Sequence, residues 1–122
     1  MGKRVHVAKR YEVEYGDTEA FNWKDDKFYS VLGHLGASPN NVGAPDDSLS
    51  DVFECDTESY QTALDTLKQY VADPDSLEYY TADEMREYIE ACGETPESLL
   101  QVMQSYYDEA DKRDGYLHFA SF

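Results

Sequence analysis

The chain has 122 residues, enough for one domain that buries about two-thirds of the surface its unfolded form exposes. Leu, Ile, Val and Phe supply only 23 residues, close to the composition of disordered chains, but eleven Tyr residues add large side chains for a core. The formal net charge of −16 argues against nucleic acid or an anionic membrane as a direct partner. We therefore expect a folded domain with a basic protein partner, no direct nucleic-acid binding and no membrane association.

The cysteines and the N-terminal segment indicate the compartment. Cys55 and Cys92 are far apart and belong to no CxxC or Cys/His pattern, which favours free thiols in a reducing environment over a disulfide or a zinc site. The N-terminal segment alternates and is charged, unlike a secretory signal, and no apolar run is long enough to span a membrane. The sequence predicts a cytoplasmic protein.

The first half of the chain predicts a strand, a helix and a long loop. Apolar and polar residues alternate over 4–15, which is typical of one long half-buried strand that ends at Gly16. An apolar stripe at helical spacing predicts a helix over 21–35, and Gly36 ends it. The segment 36–50 is rich in Gly, Pro, Asn, Asp and Ser, and its length makes it a candidate recognition loop.

The middle of the chain predicts a second strand and two helices. Residues 51–56 form a short candidate strand, and apolar residues at helical spacing predict a helix over 58–72. Thr81 is a suitable N-cap for a shorter helix, and Gly93 is a suitable residue for its C-terminal end.

The last segments complete the predicted fold. Thr95 as N-cap and Pro96 at the first helical position predict a fourth helix, and the aromatic residues of 116–122 predict a final strand. The resulting order is β-α-β-α-α-α-β over 1–122. The predicted fold class is α+β: a small single domain of about three mainly antiparallel strands, the N- and C-terminal strands paired, with about four helices packed on one face.

The densest group of carboxylates lies in 77–97, where seven acids are accompanied by one base, Arg86. Four acids of the helix over 82–92 lie away from its apolar stripe, at spacings where like charges repel by roughly a few tenths of a kcal/mol per pair. Just before this helix, an acid and two tyrosines form a candidate contact patch, since a Tyr ring is large while its hydroxyl tolerates water. The predicted partner-binding residues are Glu78, Tyr79, Tyr80, Asp83, Glu84, Glu87 and Glu90.

These residues also have simpler explanations. The acids would form a solvated face in the proteome of a salt-adapted organism, and most tyrosines would fill a Leu-poor core with hydroxyls that reach the surface. Two functions remain open beside a non-enzymatic interaction module. One is an inhibitor that imitates the phosphates of nucleic acid, and the other is an enzyme or metal protein with an unrecognised site.

Metal and catalytic motifs are weak. Residues 73–84 imitate part of an EF-hand loop but lack the Gly that its sharp turn requires. His6 and His118 would approach each other if the first and last strands pair, and Glu12 or Glu14 would then complete a metal site, although surface histidines are the simpler interpretation. No nucleophile motif such as GxSxG occurs. We therefore predict no catalytic residue, no metal site and no cofactor.

Overall fold

The computed structural model describes residues 5–10, 14–16, 18–21, 24–41 and 51–121. Within these residues the strands are β1 (Val5–Arg10), β2 (Glu14–Tyr15), β3 (Asn40–Asn41), β4 (Asp51–Asp56) and β5 (Tyr116–Ser121). The helices are α1 (Asp25–His34), α2 (Thr57–Ala72), α3 (Ala82–Ala91) and α4 (Pro96–Glu109). None of these four helices is both long and apolar enough to cross a membrane.

The described strands form one antiparallel sheet in the order β2-β1-β5-β4-β3. β5 lies at the centre and pairs with β4 over six residues, from Asp51 opposite Ser121 to Asp56 opposite Tyr116. The other edge of β5 pairs with β1, so the predicted pairing of the N- and C-terminal strands is confirmed. β2 and β3 have two residues each, and the three longer strands with the helices form the predicted small α+β fold.

The single long strand predicted over 4–15 is wrong. β2 pairs antiparallel with β1, with Tyr15 opposite Ala8, so β1 and β2 are two strands and not one. Residues 11–13 lie outside the described part, and their sequence contains no Gly, Pro or Asn to mark a turn. Alternation has the same period in one strand and in both arms of a hairpin, so the pattern alone does not locate the reversal.

The boundaries predicted from helix-capping residues are confirmed. The hydroxyls of Thr81 and Thr95 each accept the backbone N–H three residues on, and the side chains of Glu84 and Ser98 accept in return from the N-cap backbone. Gly93 ends α3 with a φ of +83°, in the left-handed region that favours glycine. The start of α3 is therefore fixed directly after the predicted contact patch.

The first helix is shorter than predicted. α1 begins at Asp25, and Phe21 lies outside it with a φ of +61° that a right-handed helix does not allow. The Phe21 ring still belongs to the core and stacks on Phe28, with centroids 4.2 Å apart. Of the predicted loop, residues 40–41 form β3, whereas 42–50 lie outside the described residues, so the candidate recognition loop stays a prediction.

The core lies between one face of the sheet and the helices. Alternate residues of β1, β4 and β5 share one buried cluster with apolar residues from all four described helices. The strand register places Val7, Phe119 and Phe53 side by side on this face. Phe28 of α1 lies against both of these phenylalanines, with centroids 6.0 Å from Phe53 and 5.6 Å from Phe119. The helices therefore cover the face of the sheet that carries its large apolar side chains.

Tyrosine hydroxyls join the layers of this core. The Tyr60 hydroxyl donates to the Met103 carbonyl of α4, and the Tyr106 hydroxyl donates to the Val5 carbonyl of β1, each at 2.7 Å. Tyr70 of α2 donates to the carbonyl of the first residue of α3, also at 2.7 Å. The expectation that core hydroxyls reach the surface is wrong for Tyr60 and Tyr106, because both groups are buried and bonded to backbone.

Both cysteines are free, and their side chains are 0% and 1% exposed. Burial raises the pKa of the Cys55 thiol and raises the pKa of Cys92 to about 12. We expect a chromogenic disulfide reagent at about pH 8 to label neither thiol rapidly in the native protein, because the reactive thiolate is scarce and covered. The measurement is the labelling time course, with the same protein in guanidinium chloride as control. Rapid release of two equivalents by the native protein would contradict this.

Candidate functional site

The predicted contact patch lies on the irregular segment between α2 and α3. The carboxylate of Asp73, the C-cap residue of α2, accepts the backbone N–H of Asp75 at 3.2 Å and so supports a turn. The chain then runs through 76–80 without regular structure until Thr81 caps α3. Tyr79 is 84% exposed, more than any other large hydrophobic side chain in the described part. Its ring is free to contact another molecule.

Two surface cavities flank this segment. The first has a volume of about 350 Å³ and lies between the segment, α2 and the end of α1. The second, of about 360 Å³, lies between the segment and the start of α3. Both are lined by the four residues of 77–80. A partner that covers the Tyr79 ring would therefore meet a concave surface on each side of it.

Tyr80 contacts His34, a residue outside the predicted contact patch. The Tyr80 hydroxyl lies 3.0 Å from Nδ1 of His34, the last residue of α1. The His34 ring stacks on Tyr88 of α3 with centroids 3.8 Å apart, and Tyr80 meets both rings edge-on. His34 and Tyr80 are 46 residues apart, so no local pattern reveals the contact. Tyr80 is thereby fixed against α1 and α3, whereas the neighbouring tyrosine projects into solvent.

The structure brings only some of the predicted carboxylates to the exposed ring. Glu78 lines both cavities, and Glu84 lines the second. Asp83, Glu87 and Glu90 are exposed on α3 but line neither of these cavities. Since a helix rises about 1.5 Å per residue, Glu87 and Glu90 lie roughly 4 and 9 Å further along the axis than Glu84. They extend the negative surface away from the cavities along α3.

Two of the acids have structural roles, and three do not. Glu84 Oε1 accepts the backbone N–H of the N-cap residue at 3.1 Å, and both Asp83 and Glu84 lie in the first turn, where the helix dipole favours negative charge. Within the described residues, the carboxylates of Glu78, Glu87 and Glu90 take part in no hydrogen bond or ion pair. Their charges are therefore available to an external partner.

The histidine-based metal hypothesis gains no support from the described residues. The register of β1 and β5 places His6 and His118 on the same face of the sheet, and His118 Nδ1 lies 3.7 Å from a carboxylate oxygen of Glu54. However, the described part of the chain contains no group of three or more His, Cys, Asp or Glu residues that could hold a metal ion. Glu12 and the side chain of Glu14 lie outside that part, so their contribution stays a prediction.

A third cavity, of about 440 Å³, is lined by Phe21, Lys24 and Cys92 among others. Cys92 is the one thiol in its lining, and burial raises the pKa of this group to about 12. Such a thiol stays protonated at neutral pH, and the protonated form is a poor nucleophile. The cavity is therefore poorly suited to cysteine-based catalysis.

The described residues thus form a small α+β domain with an exposed tyrosine, two flanking cavities and three carboxylates that form no ion pair within this part of the chain. None of the family models, curated proteins or solved structures compared with the chain matches it. The geometry and charge of this surface are therefore the basis for assigning a function.

Proposed function

We propose that this domain is a non-enzymatic interaction module that binds a basic protein in the cytoplasm. The binding site is the Tyr79 surface, which comprises Glu78, Tyr79, Tyr80, Asp83, Glu84, Glu87 and Glu90. The observation that carries the proposal is the Tyr79 ring, 84% exposed between two cavities.

The exposed Tyr79 ring can contribute binding energy to a complex. Because Tyr79 remains in water after folding, its apolar area contributes little to the stability of the domain. Covering roughly 150 Å² of such a ring at about 25 cal/mol per Å² contributes up to about 4 kcal/mol to association. Tyrosine is also among the residues that dominate binding energy in protein interfaces. The position fits an anchor for a partner.

The charges support a basic partner. Glu78, Glu87 and Glu90 form no ion pair with the described residues, and the formal net charge of the whole chain is −16. A surface of this kind accelerates the approach of a positively charged protein and repels acidic competitors. Since exposed charges are screened over about 8–10 Å at physiological salt, association with the partner should slow as salt is raised.

The test is capture of a basic protein from a lysate of the source cell, followed by affinity measurements on the purified pair. Tyr79→Ala is expected to weaken binding at least about tenfold, because the anchoring ring is lost. Tyr116→Ala is the matched control, since Tyr116 is the other exposed large hydrophobic residue in the described part and lies outside the Tyr79 surface. Equal affinity of the Tyr79→Ala variant and the wild type would contradict the proposal.

A charge variant tests the acids separately. It combines Asp83→Asn, Glu84→Gln, Glu87→Gln and Glu90→Gln. The Glu84→Gln change keeps a side-chain oxygen that accepts the capping hydrogen bond. We expect slower association and a weaker salt dependence with unchanged helix content. Unchanged association together with higher thermal stability would identify the acids as a solvated face. Displacement of the partner by added DNA or RNA would instead favour the inhibitor that imitates nucleic acid.

A further inference from the structure

The first cavity beside Tyr79 has a polar lining that favours one kind of ligand group. Its walls come from the end of α1, from one side of α2, from the segment 76–80 and from Met85 of α3. The side chains that bring polar atoms to it are His34, Thr62, Thr66, Gln69, Ser76, Glu78, Tyr79 and Tyr80. At about 350 Å³ the cavity is near the lower limit of ordinary ligand sites, a size suited to one long side chain.

Most of the hydrogen-bond donors on the α2 side of the cavity are already used within the protein. The Thr62 hydroxyl donates to the Glu58 carbonyl at 3.2 Å, and the Thr66 hydroxyl donates to the Thr62 carbonyl at 2.9 Å. Gln69 Nε2 donates to the Ser76 carbonyl, and the Ser76 hydroxyl donates to the Gln69 carbonyl, both at 3.4 Å. What these side chains still offer is mostly lone pairs, including those of the Gln69 Oε1 oxygen, beside the second N–H of Gln69 Nε2. This wall therefore favours a ligand that donates hydrogen bonds.

The charge of the cavity lining favours a cationic ligand. Glu78 is the one carboxylate in this lining, and it forms no ion pair with the described residues. The last residue of α1, His34, and the two that follow it also line the cavity, so the C-terminal end of that helix lies there. A helix C-terminus carries partial negative charge and stabilises nearby cations. The occupant should therefore be a cation that donates and does not accept.

Of the two common cationic side chains, arginine fits better. A guanidinium group has five N–H donors and no acceptor, and its flat face stacks on aromatic rings. Tyr79 presents an exposed ring at this cavity, and Tyr80 lines it as well. A lysine ammonium is a compact, strongly hydrated charge that gains less from a flat aromatic wall.

We infer that this cavity receives an arginine side chain of the basic partner, with the guanidinium facing the acceptors of Glu78 and Gln69 and lying beside the Tyr79 ring. The inference rests on the proposed function and deepens it, because it assigns a specific residue type to the partner. The rest of the Tyr79 surface then attracts positively charged proteins in general, whereas this cavity selects arginine over lysine.

The test uses two synthetic peptides of equal charge, Gly-Arg repeated four times and Gly-Lys repeated four times. Both are titrated into the protein, and affinity is measured by calorimetry at physiological salt. We expect the arginine peptide to bind about tenfold more tightly. Glu78→Gln and Gln69→Leu should each reduce this preference to less than about threefold. Glu97→Gln is the matched control, because Glu97 is also exposed but lies on α4 and does not line the cavity.

Each alternative result overturns the inference in a recognisable way. Equal affinity for the two peptides, or no binding of either, shows that the cavity does not select arginine. A preference that persists in both cavity variants places the selective site elsewhere. In all of these cases the proposed function is judged separately, by the loss of natural-partner binding in Tyr79→Ala, so its failure is distinguishable from the failure of the arginine site.

Discussion

Phe28→Ala is expected to lower the free energy of unfolding by about 3–5 kcal/mol, a large part of the 5–15 kcal/mol typical of small domains. Phe28 is fully buried at the junction of α1 and the sheet. Its ring stacks on Phe21 and meets Phe53, Phe119 and Tyr106 at centroid distances of 6.0, 5.6 and 5.8 Å. Removing it leaves a cavity among four aromatic rings, which are too rigid to fill the space by rotamer changes.

Urea unfolding followed by far-ultraviolet circular dichroism measures this loss. Phe28→Leu is the matched control, because it keeps much of the apolar volume and should cost clearly less than the alanine variant. A change of under about 1 kcal/mol in Phe28→Ala would contradict the central position that the structure gives this ring.

Tyr106→Phe is expected to lower the free energy of unfolding by about 1–3 kcal/mol, although it removes a single oxygen atom. The Tyr106 hydroxyl is buried and donates to the Val5 carbonyl at 2.7 Å, which joins α4 to β1. Burial, and to a lesser extent the nearby Glu109 carboxylate, raise the pKa of Tyr106 well above its ordinary value, so the group stays a donor at any physiological pH. The variant leaves the strand carbonyl without this donor in a dry environment.

Tyr60→Phe is the control for the second prediction. The Tyr60 hydroxyl makes an equally short bond to the Met103 carbonyl, but that carbonyl lies inside α4, where it also accepts the helical N–H four residues on. We therefore expect a smaller loss in Tyr60→Phe than in Tyr106→Phe by the same urea measurement. If both variants lose the same free energy of unfolding, the loss comes from removing a buried hydroxyl and not from leaving the Val5 carbonyl without a donor.

Capping residues in the sequence correctly predicted helix ends, because a helix end depends on residues that are close together in the chain. Thr81, Thr95 and Gly93 identify helix ends because the capping hydrogen bonds and the left-handed turn involve residues only three or four positions apart. The hairpin of β1 and β2 was missed, since alternation does not mark a reversal and residues 11–13 carry no turn residue. The positive φ of Phe21 has no sequence signal at all, because bulky residues rarely adopt that conformation.

The position of the candidate site stays a prediction from the sequence, and the contacts that surround it could not be predicted. Tyr79 and Tyr80 both lie between the break at 73–76 and a capped helix, and only the structure shows that Tyr79 is the exposed one of the two. The contact of Tyr80 with His34 depends on how α1 packs against α3, which only the assembled core determines. The same holds for the first cavity, because the end of α1 that lines it is at least 26 residues away in sequence from the rest of the lining.

The central place of β5 has a consequence for how the chain is made. β1 and β4 have no long partner in the described sheet except β5. Residues 5–10 therefore cannot pair with β5 until 116–121 have been synthesised. At ordinary translation speeds of about 5–20 residues per second, that interval is roughly 5–20 s. Throughout it, the apolar residues of the first strand have an open edge, and the nascent chain is most exposed to aggregation and to chaperone capture.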